Sequence, residues 1–316
     1  MKTIYKTTLY IILCSFFLSC FDSNKNSEEF NHLSEQFADL KIIRYKVPGF
    51  ENLELRQKKL IYYLSQASLS GRDIIFDQNY RYNLKVRKTL ETIVANYPGD
   101  RDTDNFKAFM EYTKRVWFSG GIHHHYSSKK INPGFSSEYF VNELITQTNS
   151  SDEFPFPIGQ DEDKMDLARH LDKIIFDMEY DNKRVNRDAD ADIILNSANN
   201  YYDNTINFDE ATSFYEKEME KRAPEYGLNT KLSKDNEGNL FEKTYKIGGM
   251  YSNAIKEIIY WIEKAKEVAE NEDQKQSFDL LIKYYKTGDI NTWDEYCIQW
   301  VNTITDIDWI NGFIEV

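Results

Sequence analysis

Apolar residues recur at helical spacing along most of this 316-residue chain, and glycine or proline ends several of the runs. Between Leu53 and Leu69 the run includes Leu60 and Leu64, and Gly71 follows it. The same spacing predicts helices over residues 83–97, 104–118, 136–148, 251–270, 274–286 and 293–304, and helical structure that resumes near residue 161. A chain with this pattern buries the apolar face of each helix against its neighbours.

One segment departs from the helical spacing. Between Gly227 and Gly248, two short stretches that contain Leu, Thr, Phe, Tyr and Ile flank a polar turn at 235–239, which predicts a β-hairpin. Residues 192–198, DIILNSA, are a further strand candidate for the same small sheet. Two prolines and a glycine interrupt residues 149–163, which we expect to form a loop. The predicted class is α+β, predominantly helical with a small antiparallel sheet.

The N-terminus has the features of a secretory signal. Two lysines precede an apolar run, Leu9 to Leu18, which is too short to span a membrane as a helix. Residues 17–20, FLSC, are similar to a bacterial lipobox, although Phe17 stands where the pattern has Leu. We therefore expect a signal peptide at 1–19 and a lipidated Cys20 with a polar tether to residue 35. The protein would then be a membrane-anchored lipoprotein of the cell envelope; an ordinary cleaved signal or a membrane anchor is the alternative.

Charge and cysteine content restrict the partners. Acidic residues outnumber basic ones, 52 to 39, for a net charge of −13, and no run of Lys and Arg is longer than a pair. Nucleic acid is therefore not an expected partner. Removal of a signal peptide would take Cys14 away and lipid would occupy Cys20, which leaves Cys297 without a disulfide partner. In its aromatic helix, Cys297 is expected to be a small buried apolar side chain.

Three consecutive histidines, His123, His124 and His125, are the first candidates for a metal site. Alternate histidines of a strand can reach one metal ion, but a stable site needs a third ligand, and none lies nearby in sequence. The triplet follows a Gly-Gly helix end, where a loop is expected. We predict no metal site there and leave the role of the three side chains open.

Two other patterns give weaker signals. Asp188, Asp190 and Asp192 match the first ligands of a calcium loop, but Ile193 and Asn199 stand where the loop needs glycine and glutamate, so a solvated loop is expected. Ser127 and Lys130 fit the spacing S-x-x-K without the companion motifs of that enzyme class. Neither pattern is taken as a catalytic or metal site.

Six stretches in the same order resemble the N-terminal half of dipeptidyl peptidase III, a family of zinc exopeptidases, and most of all its bacterial members. They are FADLKIIRYKVPGFENL at 37–53, GRDIIFDQN at 71–79, KRVWFSGGIHHHY at 114–126, YGLNTKL at 226–232, GGMYSNAIKEIIYWIEKAKEVAEN at 248–271 and WINGFIEV at 309–316. The resemblance implies a two-lobed enzyme, with helices and a small β-barrel in one lobe and zinc in the other. It also implies that short peptides are the substrates and that dipeptides are released from their N-termini.

The zinc motif of that family, H-E-x-x-x-H, does not occur in this sequence, because no histidine is followed by Glu and no two histidines stand five apart. We therefore expect residues 36–316 to be the substrate-binding, non-zinc lobe, truncated before the zinc lobe and inactive alone. The resemblance gives Glu315 the role of binding the α-amine of the substrate. The alternative is a non-catalytic envelope lipoprotein that binds peptides or glycans, since 22 Tyr, 20 Phe and 5 Trp could offer flat surfaces for a ligand.

Overall fold

The structure, a computed structural model, describes residues 30–219 and 227–313. The chain divides into two compact units, Met1–Glu51 and Asn52–Val316. The described part of the first unit contains an antiparallel hairpin of β1, Leu33–Phe37, and β2, Leu40–Ile43. Its two strands are short and mostly exposed, so this hairpin adds little to a core.

In the second unit the described residues form nine α-helices, a π-helix at Tyr139–Ile145 and one further hairpin. The helices are α1 Leu55–Ser70, α2 Arg72–Asn79, α3 Asn83–Asn96, α4 Asp104–Ser119, α5 Lys164–Phe176, α6 Phe208–Met219, α7 Ser252–Glu267, α8 Glu272–Thr287 and α9 Ile290–Asn302. The hairpin pairs β3, Thr230–Lys234, with β4, Leu240–Thr244. The predicted α+β class is confirmed. No helix in residues 30–219 and 227–313 combines the length and the apolar character needed to cross a bilayer.

The helix ends follow from local chemistry. Gly120 and Gly288 adopt left-handed backbone conformations, with φ of 66° and 68°, directly after α4 and α8. A side chain with a Cβ would be strained there, so these glycines end the helices as the sequence predicted. At the start of α4 the Thr103 hydroxyl accepts a hydrogen bond from the amide of Phe106. At the start of α8 the side chain of Asn271 does the same for an amide of the first turn.

The buried apolar residues form two large cores. The first lies among α3, α4, the π-helix and α5 and includes Phe109 and Phe140. The second lies among α1, α7, α8 and α9 and includes Leu60 and Phe278. Helix α2 belongs to both, because Phe76 packs in the first core and Ile74 in the second. A small third cluster holds Ile206, Ala211 and Leu232 beside the β3–β4 hairpin.

One sequence prediction of secondary structure is wrong, and one predicted helix differs in type. Residues 192–198 form turns rather than a strand, because the Asp192 carboxylate accepts hydrogen bonds from the amides of Ile194 and Leu195 and so bends the backbone. The segment 136–148 contains a π-helix instead of a continuous α-helix. Both the amide and the hydroxyl of Thr146 donate to the carbonyl of Val141, five residues earlier, which is the hydrogen-bond spacing of a π-helix. Apolar spacing alone does not distinguish this spacing from the four-residue spacing of an α-helix. The strands form two separate two-stranded sheets within the described residues, with no barrel among them.

Candidate functional site

Neither of the two site residues expected from the sequence, Glu315 and Cys20, lies within the described residues. The structure does describe the segment that leads to Glu315, Trp309–Phe313. At its start the indole N–H of Trp309 donates to the hydroxyl of Tyr296 at 2.9 Å, and the indole stacks on Phe278 with ring centroids 4.5 Å apart. This end of the segment is fixed by a hydrogen bond and by an aromatic contact together.

The other end of the segment is held by tyrosines. The Tyr285 hydroxyl donates to Oδ1 of Asn311 at 2.6 Å. Phe313 is 7% exposed, and its ring meets those of Tyr245 and Tyr285 edge to face, at 5.3 and 5.5 Å between centroids. Since Glu315 comes two residues after Phe313, the chain enters that position from a well-anchored residue.

An apolar groove runs beside this segment. Its volume is about 410 Å³, and helices α1, α2, α7 and α8 form its walls together with the segment itself. The lining is aliphatic and aromatic, with Ser68 and Asn311 as polar exceptions, and none of the described residues that line it is charged. A groove of this size and character is suited to an apolar group of a small ligand.

Next to the tyrosines lies a cluster of polar side chains, which we call the Asp77 cluster: Asp77, Asn200, Asp203, Lys231 and Tyr251. The Asp77 carboxylate accepts hydrogen bonds from the Tyr251 hydroxyl at 2.6 Å and from the Asn200 amide at 2.9 Å. Lys231 donates to Oδ1 of Asn200 at 2.8 Å and pairs with Asp203 at 3.0 Å. The cluster therefore ties the end of α2 to the start of α7 and to β3.

Tyr251 is the strained member of the Asp77 cluster. It caps α7 with φ of 61°, a left-handed conformation that is uncommon for a tyrosine. Burial raises the pKa of its hydroxyl, and the nearby Asp77 carboxylate raises it further, so the hydroxyl stays protonated and donates. The hydrogen bond to Asp77 thus helps to hold a backbone conformation that costs free energy on its own.

The histidine triplet has a structural role in this fold. His123 is 2% exposed, and its Nε2 lies 2.7 Å from the backbone oxygen of Asp181. A carbonyl only accepts, so Nε2 carries the proton. Nδ1 of His124 accepts from the amides of Tyr126 and Ser127, at 3.2 Å each, and the His125 ring stacks on that of His124 with 4.5 Å between centroids.

With these contacts, the three histidines are not arranged to bind a zinc ion. A zinc ligand needs an accessible lone pair on a ring nitrogen, whereas His123 Nδ1 is buried and His124 Nδ1 is occupied by two backbone amides. Within residues 30–219 and 227–313 no three His, Cys, Asp or Glu side chains are grouped so that they could hold a metal ion. The zinc of the dipeptidyl peptidase III family therefore has no matching ligand set in the described part of this chain.

Burial sets the charge state of His123. Its pKa is lowered to about 4, first by removal from water and then by the positive charges of Lys130 and Arg184, against the favourable Asp181 carbonyl. His123 is consequently neutral at pH 7, in the edge-to-face contact with Tyr80 at 5.3 Å.

Asp188 and Asp192 of the calcium-loop pattern accept hydrogen bonds from backbone amides in this structure. Oδ2 of Asp192 accepts from the amide of Phe208 at 2.9 Å, while Oδ1 binds the two amides of its own turn. Although burial raises the Asp192 pKa, these backbone hydrogen bonds outweigh it and lower the pKa below its usual range. Asp188 accepts from the amide of Asp190. The carboxylates thus shape the loop.

The remaining sequence candidates also have contacts of their own. Nζ of Lys130 donates to the backbone carbonyls of Asp177 and Tyr180, whereas the Ser127 hydroxyl accepts from the amide of Lys129. The pair is not arranged as a nucleophile and its base. Cys297 is partly buried and packs against the second core, which agrees with the expectation of a small apolar side chain.

The Asp77 cluster was missed by the residue-level reading of the sequence. Lys231 follows Asp77 by 154 residues (231 − 77), and Tyr251 follows Lys231 by 20 (251 − 231). No local spacing in the sequence therefore connects the three. A signal was nevertheless present. Each of the three falls in one of the stretches that carry the family resemblance, and the fold brings those stretches together.

Comparison with known proteins supports the resemblance. Residues 160–316 match the family model described as peptidase family M49. Among solved structures, DPP III from Caldithrix abyssi is similar, with 15% sequence identity and a TM-score of 0.46 over 82% of this chain and 35% of that chain. The chain thus spans about a third of that structure's length. Among proteins with curated descriptions, none matches this sequence.

Proposed function

We propose, from the match of residues 160–316 to peptidase family M49, a family of zinc metallopeptidases, that this chain supplies the substrate-binding lobe of a dipeptidyl peptidase. The whole enzyme would release dipeptides from the N-terminus of short peptides. The family match carries this proposal, because its range includes the WINGFIEV stretch with Glu315. The chain's own task in that reaction is to bind the peptide and to set which bond is cut.

Glu315 is the residue that we propose for setting the register. A carboxylate that pairs with the protonated α-amine of a peptide holds the first residue in a fixed place, which selects exopeptidase over endopeptidase cleavage. Such selection requires a rigid approach to the carboxylate. The contacts of Trp309, Asn311 and Phe313 supply that rigidity up to two residues before Glu315.

The zinc ion of the family would supply the activated water that attacks the peptide bond. Because the histidines of this chain do not fit zinc and the sequence has no H-E-x-x-x-H, we assign no catalytic step to the described residues. Binding and orientation of the peptide are the steps that we assign to this chain.

The test of this proposal is an activity and metal measurement on the purified chain. With a dipeptidyl arylamide substrate and added zinc, we expect no release of the dipeptide above the rate without protein, and metal analysis after dialysis should find far less than one zinc per chain. Dipeptide release that depends on stoichiometric zinc would contradict the proposal. A heat-unfolded sample is the control for adventitious zinc and for spontaneous hydrolysis.

A further inference from the structure

We propose that the side chains of Lys231 and Asn200 react with each other in the folded chain and form an isopeptide bond, with release of ammonia. The new amide would join β3 covalently to the loop that precedes α6, within the Asp77 cluster. The reaction uses only side chains of this chain, so it is independent of the peptidase function proposed above. It gives the cluster a covalent modification in addition to its hydrogen bonds.

The amine and the amide are already in contact. Nζ of Lys231 lies 2.8 Å from Oδ1 of Asn200. A C=O bond is about 1.23 Å long, so Nζ lies within about 4 Å of the Cγ atom that it would attack. Reacting atoms in a near-attack geometry are about 3–3.5 Å apart. A small shift of either side chain is therefore enough to bring Nζ to Cγ.

The backbone holds the two residues side by side. The amide of Leu232 donates to the carbonyl of Tyr201 at 3.0 Å, and the amide of Asp203 donates to the carbonyl of Leu232 at 2.9 Å. These two bonds fix the strand that contains Lys231 next to the segment that contains Asn200. Reactants that are held together in this way react as if at very high concentration.

Asp77 determines which way the Asn200 amide faces. Its carboxylate accepts from Nδ2 of Asn200 at 2.9 Å, so Nδ2 is turned to Asp77 and Oδ1 to Lys231. The Tyr251 hydroxyl donates to the same carboxylate at 2.6 Å and holds it in place. The attacking amine and the nitrogen that has to leave therefore do not compete for the same space.

Burial favours attack by the lysine over attack by water. Asn200 is 5% exposed, and the side chain of Lys231 is 13% exposed. Bulk water thus has little access to Cγ of Asn200, whereas the amine touches the same amide group. We expect cross-linking to be faster than hydrolysis of the asparagine to aspartate.

The groups of the cluster account for the protons and the electrons. Asp203, whose Oδ1 lies 3.0 Å from Nζ of Lys231, accepts one proton from the lysine ammonium and so frees the electron pair of the amine. Nζ then bonds to Cγ of Asn200, and a second proton passes from Nζ to Nδ2. The Cγ–Nδ2 bond breaks, and ammonia takes the proton from Asp203 as it leaves. One lysine ammonium and one asparagine amide thus give one secondary amide and one ammonium ion.

Mass spectrometry of the purified chain is the test. After several days at pH 9 we expect a loss of about 17 Da, the mass of ammonia. Because cyclisation of an asparagine also releases ammonia, the tryptic peptides decide. We expect a branched product that joins residues 188–217 to residues 223–234, since trypsin does not cut after an acylated Lys231. Absence of that branched peptide, with or without the loss of mass, would overturn the inference.

Lys231→Arg tests the assignment of the lysine. The guanidinium keeps a positive charge beside Asp203 but is not a nucleophile, so this variant should give no branched peptide. Lys234→Arg is the matched control, because Lys234 lies on the same strand and donates to Glu210 and to a backbone carbonyl. It should cross-link like the unaltered chain. Cross-linking of Asn200 that persists in Lys231→Arg would reject the assignment.

Three rates test the mechanism. Asp203→Asn removes the base and should slow cross-linking by at least about tenfold. Cross-linking of the unaltered chain should become faster from pH 7 to pH 9, because only the unprotonated amine attacks. The chain unfolded in guanidinium chloride should not cross-link, since only the fold brings the two residues together. An unchanged rate in Asp203→Asn would reject the proposed base, and equal rates for the folded and the unfolded chain would contradict the inference as a whole.

Discussion

Asp77→Ala is expected to lower the free energy of unfolding by about 3 kcal/mol. The Asp77 carboxylate accepts from Tyr251 and Asn200, and its removal leaves two donors without an acceptor. An unpaired buried donor costs about 1–3 kcal/mol, and the cost is greater when the lost partner was charged. Asn200 is 5% exposed, so water cannot easily take the place of the carboxylate there.

Urea unfolding at pH 7, followed by circular dichroism, measures this effect. Asp161→Ala is the control, because Asp161 lies in an exposed turn and its loss should change the free energy of unfolding by less than about 0.5 kcal/mol. Asp77→Asn keeps one acceptor oxygen and should fall between the two. If Asp77→Ala is as stable as the control, the cluster does not hold α2, α7 and β3 together.

The second large effect is a loss of stability in mild acid that depends on His123. The folded-state pKa of His123 is lowered to about 4 from the ordinary value of 6.5, so the unfolded chain binds the proton more readily than the folded chain. Above pH 6.5 the histidine is neutral in both states and contributes no pH dependence. Between pH 6.5 and 4 the folded state loses stability as pH falls, and below pH 4 this loss is complete.

The magnitude follows from the difference of 2.5 between those two pKa values, 6.5 − 4. It corresponds to about 3 kcal/mol in total, of which about 2.5 kcal/mol is lost between pH 7.5 and 4.5. His123→Asn removes the titrating group and should flatten the pH dependence by that amount, even if the variant is less stable at pH 7.5. If the free energy of unfolding falls equally with pH for His123→Asn and for the unaltered protein, another group causes the loss of stability in acid.

The sequence was most informative where structure is determined locally. Helix α4 ends at Ser119, before Gly120, and α8 ends at Thr287, before Gly288. Each helix ends there because glycine adopts the left-handed backbone conformation more easily than other residues. The β3–β4 hairpin was also predictable, since its polar turn is contained within a few residues. Apolar spacing and glycine position together identify these elements without tertiary information.

The site residues could not be found in the same way. His123 was expected to lie in a loop, but the sequence did not indicate that its Nε2 would bond to the backbone oxygen of Asp181, 58 residues later. The Asp77 cluster combines side chains from α2, β3, α7 and the chain near Asn200, so it exists only after those elements have packed. Residues 192–198 were a strand candidate, whereas the hydrogen bonds of a single aspartate bend the backbone into a turn.

We propose that this chain binds peptides through their free N-terminus at Glu315, and calorimetric titration with one peptide in free and N-acetylated form tests this role of Glu315. Acetylation and Glu315→Gln should each weaken binding roughly 10- to 100-fold, as expected for loss of a charge-assisted contact, whereas Glu153→Gln at an exposed loop position should not. Both changes remove the same contact, so the acetylated peptide should lose no further affinity for the Glu315→Gln variant. Equal affinity for the free and acetylated peptides would contradict the proposed role of Glu315.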